Sequence, residues 1–539
     1  MNPKFIFVVG GVLSGVGKGV TTASLGAIYR AKGFSVTAMK VDPYVNVDAG
    51  TMNPIEHGEV FVTDDADETD QDMGNYERFL NVDLSSIDYM TTGRVYRSVI
   101  ENERAMKYKG MCVQVVPHIP EEIIRRIKKA QKSHRAEITI IEVGGTVGEY
   151  ENILFLEAGR MMKLSDPDSV AFVLVSYLPV PSHLGEMKTK PTQHAARALN
   201  SAGLNADILI ARGQYDLDKP RRDKLAIHCG VSRENCISAP DVPSIYEIPL
   251  RIEKQDIGNK ILRVLKVKER KTDLSEWRRF VSRIDNAKKK LKIAVVGKYF
   301  ATGDYTLSDS YISVIEALKH AAWHYNAHPE LDWVDSEEFE KNPSSIKKLS
   351  KYDGILVPGG FGTRGVEGII KAVTYAREHK KPYLGLCYGM QLACIEFVRN
   401  VLNIPEATTV EMDESTSHPV IHINPYQAKN VRENRYGGTM RLGAYDCTLK
   451  KGSKAYKAYG SETISERHRH RYEFNNDYRK QIDEAGLHIV GVNTESDLVE
   501  IVELGDHPFF VGTQFHPEFK SRPMRPHPLF KEFVKVALK

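Results

Sequence analysis

Cysteine is scarce. Cys112, Cys229, Cys236, Cys387, Cys394 and Cys447 are the only six in 539 residues, and their irregular spacing excludes a disulfide framework or a cysteine-built zinc site. That usage suits a reducing compartment. No apolar run is long enough to span a bilayer and no signal-peptide pattern precedes the first apolar stretch, so the expected location is cytoplasmic, with no membrane partner. A dominant charge sign is missing too, because 74 Lys+Arg against 70 Asp+Glu leaves only +4. Such a balance gives no argument for nucleic acid, and any basic site must be local. Internal repeats and low-complexity tracts are also absent. What remains, 42% apolar and 27% charged, is an ordinary globular composition. The length allows roughly two to four domains.

The chain is organised around Lys4-Phe-Ile-Phe-Val-Val-Gly-Gly-Val-Leu-Ser-Gly-Val-Gly-Lys18-Gly-Val-Thr-Thr22, which reads as strand, phosphate loop and helix. Gly15 and Gly17 let backbone N–H groups approach an anion, Lys18 supplies a point charge, and a helix is expected from Ala23. The match to a standard P-loop is imperfect. Val12 stands where a glycine is usual, and Gly19 replaces the Ser/Thr that normally holds magnesium, so that oxygen must come from elsewhere. A purely structural tight turn is the competing reading, and it leaves Lys18 without a purpose.

Buried-strand patterns at Phe5–Val9, Ser35–Met39, Ile138–Val143, Val170–Val175 and Ile208–Ile210, with a helical stripe through Ile123, Ile124 and Ile127, describe a doubly wound α/β domain. Ligands in such sheets sit beyond the carboxyl ends of the strands. The tract from Asp64 to Asp72 places six carboxylates in nine residues, and Glu142 ends a strong strand. One carboxylate from each around Mg²⁺ is one reading; solvated surface charge is the other. Lys188-Thr-Lys190-Pro-Thr-Gln193 likewise reads either as a phosphate-binding inventory or as an exposed basic loop. Lys40 and Lys224 are weaker candidates of the same kind.

Between Arg251 and Leu291 the texture turns helical and charged, with stripes at Ile257, Ile261, Leu262 and Leu265 and at Trp277, Phe280, Val281 and Ile284. This is expected to be a connector. A second α/β alternation follows, in which Gly385-Leu-Cys387-Tyr-Gly389 forms a nucleophile elbow with sulfur in place of oxygen. A helix N-terminus favours the thiolate. His516-Pro-Glu518 supplies a base and its orienting carboxylate, with Pro517 expected to hold the three residues extended. Cys394, in the same helix, reads as core filler.

The segments Met39-Lys-Val-Asp-Pro-Tyr, His57-Gly-Glu-Val-Phe-Val-Thr, Tyr76-Glu-Arg-Phe, Lys188-Thr-Lys-Pro-Thr-Gln-His, Pro358-Gly-Gly-Phe-Gly, Gly438-Thr-Met-Arg-Leu-Gly, Arg467-His-Arg-His-Arg-Tyr-Glu and Gln514-Phe-His-Pro-Glu occur in order along nearly the whole chain. Together they resemble the CTP synthase family, glutamine-dependent ligases with an N-terminal synthetase and a C-terminal class I glutaminase. The resemblance implies a P-loop-type doubly wound synthetase domain over 1–268, a linker over 269–291 and an α/β class I glutaminase over 292–539.

The resemblance also implies the ligands. ATP would lie on Ser14, Gly15, Val16, Gly17, Lys18, Gly19 and Val20 with Lys40 and Asp72, and its adenine beside Pro240, Asp241 and Val242. Mg²⁺ would be held by Asp72 and Glu142. UTP, and CTP as feedback inhibitor, would contact Ser14, Lys188, Thr189, Lys190, Pro191, Thr192, Gln193 and Lys224, with Glu149, Tyr150 and Glu151 reading CTP. Glutamine would meet Gly360, Tyr388, Gly389, Met390, Gln391, Glu411 and Arg471 around Cys387, His516 and Glu518. His57 and Val60 would lie along an ammonia route. GTP activation and a homotetramer with shared nucleotide sites complete the expectation. His228 and Cys112 depart from the family pattern, the first leaving the aromatic contacts near the pyrimidine site unassigned, and the longer stretch Tyr299–Tyr311 leaves the GTP-site residues unassigned. Two other classes share these features: an amidoligase acting on another substrate, and a non-catalytic polymer-forming protein.

Overall fold

A strand that is apolar at every position must be covered on both faces. In the computed structural model, which describes residues 2–53, 57–183, 185–298, 301–302, 305–306, 308–423 and 440–539, every residue of β1 (Lys4–Gly11) is buried. Contacts divide the chain into two compact units, Met1–Ala49 with Asp72–Val281, and Gly50–Gln71 with Ser282–Lys539.

The first unit is built on β1, β2 (Val36–Asp42), β3 (Tyr89–Thr91), β4 (Ile138–Val143), β5 (Val170–Leu178), β6 (Ile208–Gly213) and β7 (Cys236–Pro240). They form a seven-stranded sheet in the order β3-β2-β4-β1-β5-β6-β7, every pair parallel. The order turns back at β1, so the loop after β1 lies at the switch point, where such sheets bind ligands. Register finishes the placement: Glu142 sits opposite Val8 on one side and Lys40 on the other.

Helix α1 (Lys18–Ala31) begins five residues earlier than the expected Ala23, because Gly17 at φ 90° ends the loop and lets Lys18 start the helix. Helix α2 (Asp72–Leu80) packs beside it. Trp277 and Phe280, read from the sequence as part of the connector, are buried against Tyr246 with ring centroids 6.1 and 5.2 Å away, and Trp277 Nε1 donates to the Tyr246 carbonyl at 2.6 Å.

In the second unit, β8 (Lys289–Gly297), β9 (Ala327–Asp335), β10 (Gly354–Val357), β11 (Tyr383–Leu386), β12 (Arg441–Leu449), β13 (Thr463–His470), β14 (Leu487–Asn493), β15 (Leu498–Leu504) and β16 (Phe510–Thr513) make a nine-stranded sheet. Its order is β9-β8-β10-β11-β16-β15-β14-β12-β13, parallel from β9 to β16 and antiparallel beyond. Apolar layers cover both faces, one including the helix after β11 and the other the C-terminal helix Pro528–Ala537. A short hairpin, Phe61–Val62 paired with Glu68–Thr69, belongs to this unit although its residues come from early in the chain. Gly438, Thr439 and much of the Tyr299–Tyr311 stretch lie outside the described residues.

Candidate active sites

The loop after β1 carries its departure from the standard pattern in a strained backbone. Val12 has φ 83°, a conformation that a β-branched residue rarely adopts, and Gly15 and Gly17 follow at 70° and 90°. Lys18 is buried, its Nζ donating to the Gly145 carbonyl at 2.8 Å. Burial lowers its pKa, against the pull of Glu142. Lys40 Nζ is ion-paired with Asp72, lies 3.2 Å from Glu142 Oε1 and 3.7 Å from Asp42 Oδ1, and the Tyr76 hydroxyl donates to Glu142. Three carboxylates therefore converge on one ammonium, Asp72 and Glu142 being the two nearest.

The two acids respond differently. Burial, then the charge of Asp72, pushes Glu142 up to about 7, whereas for Asp72 the Lys40 ammonium outweighs burial and holds the acid below its ordinary range. Hard oxygen donors crowded until one resists ionising are a set that a divalent cation would relieve, so these residues fit Mg²⁺. Gly19 explains the absent hydroxyl: a Cβ there would run into the Asp72 carboxylate. The carboxylate takes the space a Ser/Thr side chain would need. Over the loop, Arg212 reaches the Val16 carbonyl at 3.4 Å and Asp241 Oδ1 at 2.7 Å. A cleft beside it is lined by Gly17, Thr21, Arg212, Pro240 and Arg251; Val242 is half-buried and not part of that lining.

In the second unit, Cys387 follows β11 and starts helix α3 (Tyr388–Asn400) at φ 49°, ψ −99°. This is the sharp elbow the flanking glycines predict. Its N–H donates to the Thr513 carbonyl at 2.6 Å, and its Sγ lies 3.7 Å from Gln514 Nε2 and 3.9 Å from the Arg469 carbonyl oxygen. His516 Nδ1 is 2.7 Å from Glu518 Oε1. Pro517 does not hold these residues extended; it heads a 3₁₀ turn, Pro517–Lys520, and that turn brings Glu518 back to the imidazole. Burial alone would lower the pKa of His516, but the Glu518 carboxylate and the Cys387 sulfur outweigh it and raise the imidazole to about 10. The imidazole therefore holds its proton at neutral pH. Cys394 is fully buried and pushed up to about 12, an inert contrast.

A cavity of about 350 Å³ opens beside this pair, lined by Cys387, His516, Gly360, Gln391, Glu411 and Arg471, and also by Gly50, Thr51, Met52, Asn53, Glu59 and Val60. Glu411 Oε1 accepts from the Gly362 N–H at 2.7 Å, and the Gly362 carbonyl accepts from Lys298 Nζ at 2.6 Å and the Tyr388 hydroxyl at 2.8 Å. Met390 and Tyr388 are buried, the Tyr388 ring lying against Gly360, and Gly389 packs on Val357. His57 is not part of the lining; it sits 3.6 Å from Asp70.

Residues 4–267 match the CTP synthase N-terminus family and residues 306–536 match glutamine amidotransferase class-I. The CTP synthase of Carboxydothermus hydrogenoformans is 50% identical over 537 residues, covering 99% of both chains, and that of Caldanaerobacter subterraneus subsp. tengcongensis is 48% identical, covering 99% of this chain and 98% of its own. The chain belongs to the CTP synthase family. A solved glutaminase domain of Trypanosoma brucei CTPS with bound acivicin is 39% identical, covering 46% of this chain and 93% of its own, at a TM-score of 0.42.

CTP synthase family membership gives the remaining sequence-predicted residues a context, and the structure places them unevenly. Thr189 precedes the helix Lys190–Ser201, whose first turn carries Pro191, so the lysine-rich stretch does lie at a helix N-terminus. Thr192, however, is fully buried and accepts a hydrogen bond from Ser176 at 2.8 Å, and Gln193 donates to Thr189 Oγ1 at 3.1 Å. Lys188 pairs with Glu186, while Lys190 and Lys224 are exposed. Ser14, Glu149, Tyr150 and Glu151 are exposed, as are His228 and Cys112. The sequence reading missed Gly50–Asn53 as cavity wall and Arg212 over the phosphate loop. No local pattern marks either one.

Proposed function

We propose that this member of the CTP synthase family aminates UTP to CTP at the expense of ATP, with ammonia released from glutamine. The observation that carries the reading is that one chain holds both a charged P-loop cluster of Lys18, Lys40, Asp72 and Glu142 and a Cys387–His516–Glu518 site opening into its own cavity.

In the glutaminase, the Cys387 thiolate adds to the amide carbon, and N–H groups at the elbow and Gly360 receive the developing oxyanion. His516, already protonated, gives its proton to the departing nitrogen, so ammonia leaves neutral and a thioester remains. Water activated by the imidazole then releases glutamate. Gln391, Glu411 and Arg471 hold the substrate's polar ends. In the synthetase, O4 of UTP takes the γ-phosphoryl group of ATP, and ammonia displaces phosphate at C4. Lys18 and Lys40 neutralise the transferring group, while Asp72 and Glu142 would hold Mg²⁺, which would supply charge screening for the triphosphate. Lys188 to Gln193 with Lys224 bind UTP, Glu149 to Glu151 recognise CTP as inhibitor, GTP activates, and the working form is a cytoplasmic homotetramer.

Incubation with UTP, ATP, Mg²⁺ and glutamine, followed by chromatography of the nucleotides, tests this. CTP is the expected product, with ammonia able to replace glutamine. Consumption of glutamine and ATP with no CTP formed would end the reading.

A further inference from the structure

We propose that Glu68 and Asp64, carboxylates of the early acidic tract, are positioning residues for amide hydrolysis at Cys387. The proposal deepens the glutaminase half of the function above and rests on it.

The argument begins with a strand whose two sides do different work. On β13, the carbonyl of Arg467 accepts the His516 N–H at 2.8 Å, and the carbonyl of Arg469 faces Cys387 Sγ at 3.9 Å. These same two residues send their side chains to the hairpin. Arg469 Nε meets Glu68 Oε1 at 2.8 Å, and Arg467 Nε meets the Asp64 carboxylate, which also lies 3.3 Å from Lys520 Nζ. Each guanidinium–carboxylate pair thus anchors a backbone position that touches a reacting group.

Burial makes these anchors stiff. The Arg467 side chain is wholly buried and Glu68 is only 4% exposed, so each pair has one partner shielded from water, while the half-exposed Asp64 carboxylate gains Lys520 as a second partner. The backbone is held as well, since Ala444 N–H donates to the Asp64 carbonyl at 2.9 Å and Thr69 Oγ1 ties the hairpin at the Phe61 carbonyl at 2.9 Å. Gly443, at φ 87°, is bare because a Cβ would press on the backbone of Asp64 and Ala66. The acidic tract is therefore not wholly a solvated loop, although Asp65 and Ala66 at its tip are exposed, nor wholly a metal site. Asp72 serves the synthetase cluster, and Asp64 and Glu68 brace the strand behind the thiol.

The test uses the full-length protein with Glu68→Gln, Glu68→Asp and Asp64→Asn, each assayed for glutamine-driven and ammonia-driven CTP formation and for alkylation of Cys387 by iodoacetamide across a pH series. Glu68→Gln and Asp64→Asn should lower glutamine-driven kcat about 10- to 100-fold, the scale on which misplacing a catalytic group by about an ångström acts. Ammonia-driven turnover should stay at the parent level and report an intact fold. The pH profile of alkylation should shift in Glu68→Gln, and Glu68→Asp, which keeps the charge, should recover part of the loss. Glutamine-driven turnover equal to the parent's in both neutral variants, or ammonia-driven turnover falling in step with it, would overturn the proposal. A parent that makes no CTP from either nitrogen source would instead defeat the functional reading on which it rests.

Discussion

The two candidate sites both stand at the carboxyl ends of parallel strands, yet they settle their charges in opposite ways. In the glutaminase unit Cys387, His516 and Glu518 form a closed set, in which the carboxylate stabilises an imidazolium beside the sulfur, with His516 raised to about 10. The synthetase cluster is open. Asp42, Asp72 and Glu142 crowd around Lys40, and Glu142 is driven up to about 7 because burial and Asp72 leave it short of counter-charge. The physical lesson is that the Glu518 carboxylate gives His516 a counter-charge within its own set, whereas the acids around Lys40 outnumber the ammonium they share.

That contrast can be broken most sharply at the sulfur. Cys387→Ala should abolish glutamine-driven synthesis, a loss of about 10⁴-fold or more by analogy with removal of other catalytic nucleophiles, and leave ammonia-driven synthesis intact. Parallel assays with the two nitrogen sources check it. Glu518→Gln should cost about 10²- to 10⁴-fold on the glutamine-driven rate alone, because burial then acts on His516 without its carboxylate. The matching probe on the open side, Lys18→Ala, should lower both rates about 10²- to 10³-fold, since the phosphoryl group loses its buried cation.

Proton competition separates the sites by pH. Glu142 must shed its proton to hold a cation, so the Mg²⁺ concentration needed for ammonia-driven turnover should rise roughly tenfold for each pH unit below about 7. His516 keeps its proton until pH climbs through about 10, so the imidazolium should stand beside the Cys387 sulfur across that same range. Magnesium titrations and alkylation rates on one pH series measure the difference. The smallest effect is expected at Gly19→Ala, where the new methyl must displace the Asp72 carboxylate held by Lys40. A loss of about 1–3 kcal/mol of stability or the equivalent in ATP affinity is expected, read by thermal melting and ATP titration.

Much of this was legible from local pattern. The apolar run before Gly10 announced a doubly covered strand, and the glycines around Cys387 announced the elbow, because both signals rest on backbone sterics that act over a few residues. Local reasoning failed where a second force entered. The helix expected from Ala23 starts at Lys18, since the left-handed Gly17 already frees the next residue to be helical. Pro517 was expected to keep His516 and Glu518 extended, but proline is equally suited to open a turn, and the turn is what closes the hydrogen bond.

By itself the sequence determined the chemistry available: a thiol at an elbow, a lysine in a glycine-rich loop, carboxylates and basic residues in a family-specific order. Tertiary structure alone decided which of those groups meet. Parallel register set Lys40 beside Glu142, and Asp72 took the space Gly19 leaves open. Packing carried residues 50–71 into the second unit, where they wall its cavity and grip β13. Pairings hundreds of residues apart leave no trace in local spacing, because they are selected by burial and charge neutralisation in the folded chain.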